Sequence, residues 1–462
     1  MSPDWSRRAF VATLPAAVAG CVTTPGTSPS DRRSESDGDA GSRTRTTTET
    51  PEDGVERLSA DHPALAWAVK LPRPVEFRPA PGPGGASVYV GTGQTYVPDE
   101  GTEGPGGDLF ALDAASGAVQ WRARSDLPVF DRPLVHDGRV HVVTGGSYGE
   151  TGRSHRVTAY DPDGSRRWQT DPVDNFLGFV AGHDGTVFAG TRDDNYEASG
   201  ETLFALGDDG DVRWEQSTGD SRYPGTVVDG RLLHSAAGIE LQAFDLETGE
   251  TGWQVEGEPF ADPVTPVAAS GELCFTQPPV NSDEQDAVVA RSTSDGAERW
   301  RYAGPSNGGD SFHPTRVVTS GEGDAPAVVG REYDGTTFAL DSEGNELWTV
   351  TTDGDTYGNP VVRDLIYLSD GDGTITALDP ADGTRQWQVS FADAAGITPT
   401  ATGLLAHVDD ENGRVVSLGR NGDERWRYEF STATRRTAIA TTDGRAYVGG
   451  ADGTVAAFAT VG

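Results

Sequence analysis

Lysine is nearly missing from this 462-residue chain: Lys70 is the only one, and arginine supplies every other basic side chain. Cysteine occurs twice, at Cys21 and Cys274, so no disulfide framework is available. The eight histidines are scattered, with no HExxH pair and no Cys/His ligand set. No apolar run reaches the roughly 18–20 residues that a helix needs to cross a bilayer, and no Asn-X-Ser/Thr acceptor occurs. Cationic surplus is absent too. With 72 acidic against 36 basic residues, the formal net charge is -36 and the pI near 4.4. That field excludes non-specific nucleic-acid binding and opposes docking on anionic lipid.

What is abundant is carboxylate, glycine and proline. Self-repulsion at this charge density strains a compact state unless salt screens it. An acidic, almost lysine-free composition is similar to that of proteins from salt-loving archaea, which implies a domain that loses structure at low ionic strength. Gly 60 and Pro 29, with 10 Trp and 16 Phe but only 35% hydrophobic residues, read as many short strands joined by tight turns.

The first 20 residues read as an export signal. Ser6-Arg7-Arg8-Ala9-Phe10-Val11 resembles a twin-arginine motif, and Arg7 and Arg8 are its paired cations. The apolar stretch from Ala9 to Gly20 is too short to span a membrane. It ends in Val18-Ala19-Gly20-Cys21, which resembles a lipobox and makes Cys21 the expected lipidation site. Residues 21–60 are rich in Ser, Thr and Asp with few large apolar side chains, the composition of a disordered tether. The expected place of the protein is therefore the outer face of the cell membrane, held there only through lipid.

Residues 61–462 repeat. Trp67, Trp121, Trp168, Trp214, Trp253, Trp300, Trp348, Trp387 and Trp426 recur at a mean spacing of about 45, and a glycine precedes each of the last eight by four positions. In the unit ending at Trp387, an alternating strand Thr374 to Leu378 runs into a turn at Asp379 to Gly383 and a short strand follows. Upstream, Asn359-Pro-Val-Val and Leu365-Ile-Tyr-Leu supply two more strands. A four-stranded antiparallel sheet this small cannot cover both of its faces, so the units must stack radially into an all-β propeller. The C-terminal unit ends before its tryptophan, whereas Ala64 to Lys70 supplies a tryptophan strand without a unit. Joining the two ends makes a composite blade and gives nine blades, with eight as the alternative.

The segments Ala111 to Trp121, Ala243 to Trp253 and Ala377 to Trp387 resemble the A-x-D-x-x-T-G-x-x-x-W docking motif of pyrroloquinoline-quinone (PQQ)-like propellers. Ala290 to Trp300 carries Ser292 in place of the aspartate, and the units ending at Trp168, Trp214, Trp348 and Trp426 have turns one residue shorter. The resemblance implies that the repeated tryptophans pack between blades. It also raises a PQQ-dependent dehydrogenase holding quinone and calcium over the central channel. The adjacent cysteines and CxxCH haem motif common in such enzymes are absent, so no cofactor, metal or catalytic residue is expected. Asp370-Gly-Asp-Gly lacks the full spacing of a calcium loop and reads as a turn.

Four loops between second and third strands are long, and they lie on one face of the disc. They bring Tyr96 and Asp99, Tyr148, Asp193, Asp194 and Tyr196, and Asp283 and Glu284 to that face as candidate partner-binding residues. Anchor, tether and a propeller without cofactor residues are together similar to the lipid-anchored propeller subunits of the bacterial outer-membrane β-barrel assembly machine. The function expected is a non-catalytic surface scaffold for protein partners, with polysaccharide or small-solute binding as the alternative.

Overall fold

The third strand of each repeat is apolar at almost every position, as in Leu109-Phe110-Ala111-Leu112. The fourth alternates polar and apolar. A strand covered on both faces shows the first pattern and a half-covered outer strand the second. In the computed structural model this difference sets each strand's place. The structure describes residues 54–58, 62–93, 106–145, 154–192, 202–218, 225–236, 239–256, 268–270, 272–276, 288–304, 316–319, 327–332, 334–352, 354, 359–393, 395–408, 413–430, 439–442 and 444–460.

Among these residues nine antiparallel sheets are present. Blade 1 runs from its inner strand Ala80–Pro81 through Ser87–Thr92 and Gly107–Asp113 to its outer strand Val119–Ser125, and the pattern repeats through blade 8, which ends at Glu424–Glu429. Inner strands of neighbouring blades lie side by side around the whole ring, from Ala80–Pro81 against Leu134–His136 to Ile439–Thr441 back against Ala80–Pro81. The only helical element described is the short 3-10 turn Pro83–Gly85.

Blade 9 is composite, as the sequence pattern requires. Strands Ile439–Thr441, Arg445–Gly449 and Thr454–Ala459 come from one end of the chain, and Leu65–Lys70 from the other. Trp67 pairs with Ala457 and Val69 with Val455 across the seam. The sheet also reaches back into the segment read as tether. Glu56–Leu58 adds a fifth, outermost strand to Leu65–Lys70, and Val55 beside it is only 4% exposed.

Among the described residues there is no single central core. Buried apolar residues fall into nine clusters, each spanning one interface between neighbouring blades. Cohesion therefore resides between sheets, and each blade depends on its neighbours. Cys274 lies fully buried in the cluster between blades 4 and 5, where burial pushes its thiol up to about 12. In the full chain carrying Cys21→Ser, this thiol is expected to resist a chromogenic disulfide reagent in concentrated KCl and to react after dilution to low ionic strength. Equal protection in both conditions would show that screening by salt does not hold the ring together.

Candidate functional site

The nine repeated tryptophans form a structural belt. Eight of the indoles reach across an interface to the turn of the next blade. Trp67 Nε1 donates to the Ala114 carbonyl at 3.0 Å, Trp214 to Leu246 at 3.0 Å, Trp253 to Thr293 at 3.1 Å and Trp348 to Pro380 at 2.9 Å. Trp121, Trp168, Trp300 and Trp387 bond Pro162, Asp208, Ser342 and Arg420 in the same way. Glycine sits beneath each ring for two reasons. At Gly117 the φ is +70°, and an added Cβ would stand 2.5 Å from the Trp67 ring. The motif aspartates tie these turns from within: Asp245 Oδ1 accepts the N–H groups of Glu247 and Thr248 at 3.0 and 2.9 Å. Those bonds hold its carboxyl below the ordinary range.

Trp426 departs from the pattern because its neighbour is the composite blade, where the chain ends replace the turn. It stacks on Phe458 with ring centroids 4.9 Å apart, and His62 meets its edge at 5.8 Å. The His62 ring also contacts the Arg427 carbonyl at 2.8 Å, so a residue beside the N-terminal strand closes the last interface.

Tyr96, Asp99, Tyr148, Asp193, Asp194, Tyr196, Asp283 and Glu284 lie outside the described residues, as do Arg7, Arg8 and Cys21. The strand ends from which the four long loops spring are described, in blades 1, 2, 3 and 5, and polar side chains pin them. In blade 1, Thr92 Oγ1 accepts the Asp108 N–H at 3.2 Å. The Asp108 carboxylate is fully buried and takes a two-pronged contact from Arg122 at 2.9 and 3.0 Å, with Arg73 as a second cation. In blade 2, His155 is buried between Phe130 and Phe176, with centroids at 4.4 and 5.2 Å, and its Nδ1 accepts the Leu177 N–H at 3.2 Å. In blade 3, Thr202 N donates to Thr191 Oγ1 at 2.8 Å. In blade 5, Thr276 Oγ1 donates at 2.7 Å to Glu240 of blade 4, whose carboxylate is held by Arg291 at 2.9 and 3.1 Å. These loops therefore start from rigid roots.

Asp108, Arg73, Arg122, Glu240 and Arg291 were not among the residues expected to matter. For Asp108, Glu240 and Arg291 the signal lies in the aligned repeats. Three positions before the motif alanine stand Thr202, Thr336, Thr374 and Thr454, but Asp108 and Glu240 are acids; one position after it stand Leu112, Phe244 and Leu378, but also Arg291. The candidate calcium turn is a turn: Asp370 Oδ1 accepts the backbone N–H groups of Asp372 and Thr374 at 3.1 and 2.6 Å. Among the described residues no group of three or more His, Cys, Asp or Glu is placed to hold a metal ion.

Closed ring, docking belt and repeat length define a nine-bladed propeller of PQQ-like repeats. The family model described as "Outer membrane protein assembly factor BamB" matches residues 51–152, 153–370 and 313–462, and the chain belongs to that family. It is 23% identical over 355 residues to the outer membrane protein assembly factor BamB of Salmonella typhimurium, covering 70% of this chain and 79% of that one. It is 27% identical over 346 residues to the serine/threonine-protein kinase AfsK of Streptomyces coelicolor, covering 73% of this chain but only 38% of the kinase. In structure it is similar to the computationally designed Ika8 protein, at TM-score 0.50 and 14% identity over 84% of this chain and 98% of that one. That likeness concerns the fold alone.

Proposed function

We propose that this chain is a non-catalytic scaffold of the cell envelope that holds protein partners on its long-loop face. Lipid on Cys21 anchors it, after export directed by Arg7 and Arg8. The observation that carries this reading is the asymmetry of the ring. Four second-to-third strand connections are long and spring from one face, from strand ends fixed by buried ion pairs and hydroxyl bonds. Rigid roots let these loops present a surface at small entropic cost on binding. Membership of a family described as an assembly factor supports the same reading.

The test is site-specific photo-crosslinking in intact cells. Probes at Tyr96, Tyr148 and Tyr196 are expected to trap one partner protein. A probe at Asp382, in an exposed turn on the opposite face, is expected to trap none. Equal capture from both faces, or capture from neither, would remove the long-loop face as the docking surface. Added PQQ with Ca²⁺ is expected to give no dye reduction with alcohols or sugars, and saturable reduction would overturn the non-catalytic reading.

A further inference from the structure

Several arginines of the ring meet carboxylates. Arg139 pairs with Asp161 and Asp208, Arg420 with Asp364, Arg291 with Glu240, and Arg73 and Arg122 with Asp108. Arg78 and Arg132 are different. They hold matching places in successive repeats, Phe77-Arg78-Pro79 and Asp131-Arg132-Pro133, each just ahead of an inner strand. Those inner strands, Ala80–Pro81 and Leu134–His136, lie side by side at the channel. The proline after each arginine holds the backbone extended, so both side chains start from the same fixed geometry. Solvent reaches both.

Among the described residues, the charge that acts on Arg78 is that of Arg132. Surrounding protein atoms and then the Arg132 charge lower the pKa of its guanidinium. Asp131, next to Arg132 in the chain, feels the Arg132 charge, but both of its oxygens accept backbone N–H groups and neither forms an ion pair with the guanidinium. Oδ1 accepts the Arg132 backbone N–H at 2.6 Å and Oδ2 the Phe179 N–H at 3.0 Å, and burial raises its pKa. A pair of repelling cations thus stands at one mouth of the channel, in a chain with twice as many acids as bases.

We propose that Arg78 and Arg132 together form a binding site for a small polyvalent oxyanion, at the channel mouth on the long-loop face. Two guanidinium forks present paired N–H donors that match carboxylate or phosphate oxygens, and a bound anion removes the repulsion between them. The site is independent of the scaffold reading.

The experiment follows thermal unfolding of the full chain at constant ionic strength in KCl, with inorganic phosphate as the probe. Without phosphate, Arg78→Gln is expected to melt no lower than the parent, because it removes a repulsion. Phosphate is expected to raise the melting temperature of the parent and of Arg363→Gln, an exposed arginine in blade 7. Arg78→Gln and Arg132→Gln should each need at least tenfold more phosphate for the same shift. Citrate replaces phosphate in a second arm to separate a carboxylate ligand from a phosphoryl one, and either anion acting through both arginines supports the site. The site is overturned if neither anion shifts the parent, or if Arg78→Gln/Arg132→Gln responds like it.

Discussion

A chain that begins at Leu71 is expected to show no cooperative unfolding transition and to aggregate, whereas one that begins at Gly54 unfolds as the full chain does. The missing strand Leu65–Lys70 carries Trp67, Ala68 and Val69, which are 7%, 3% and 1% exposed. Truncating one buried Trp costs about 3–5 kcal/mol, and the whole ring is expected to hold only about 5–15 kcal/mol. Loss of the strand also uncovers Thr454–Ala459 along its full length, an unpaired edge ready to join another chain. A chain beginning at Asp61 separates two contributions. It keeps Trp67 and His62 but loses Glu56–Leu58 and Val55, and burial of that valine is worth roughly 1.5–3 kcal/mol. It should still unfold cooperatively, with a urea midpoint below that of the chain beginning at Gly54. Equal midpoints for chains starting at Gly54 and Leu71 would show that the ring does not need closure by its N-terminal strand.

Replacing Glu240 by alanine is expected to destabilise the protein by about 3–5 kcal/mol, the range for a buried ion pair that loses one partner. Glu240 and Arg291 side chains are 7% and 10% exposed, and they join blade 4 to blade 5. Removal of the carboxylate leaves the Arg291 charge without its counter-ion and the Thr276 hydroxyl without its acceptor. The apolar cluster at this interface is small among the described residues: Leu233, Leu241, Ala243 and Cys274, with Val228 and Trp253 packed against them. Little else there offsets the loss. The double variant Glu240→Met/Arg291→Met should recover most of the stability, because a well-filled apolar pair replaces the ions without leaving a charge buried. Equilibrium unfolding in concentrated KCl measures both. If the double variant is as unstable as Glu240→Ala, shape at this interface matters more than charge.

Much of this architecture is legible before any coordinates. Nine tryptophan marks, a unit cut short at one end and a spare strand at the other specify a ring closed by both termini. Glu56–Leu58 escaped that reading because three residues inside a polar stretch carry no periodicity. The ion pairs escaped for another reason. In a chain with 72 acids, composition does not reveal which carboxylate is buried, and only departures at aligned repeat positions single out Asp108, Glu240 and Arg291.

The linear order of residues by itself determined the repeated strands, the turns and closure of the ring by both chain ends, since period-two patterning and glycine placement are local properties of the backbone; the structure decided nine blades over eight. It paired each glycine with the tryptophan four positions later in the same unit. Only the tertiary structure showed that Gly117 lies under Trp67 and Gly249 under Trp214, so that each turn receives the indole of the preceding blade. The reason is physical. A four-stranded sheet has no interior of its own, so its contacts are completed by a neighbour about 45 residues away, and at the seam by a strand from the other end of the chain.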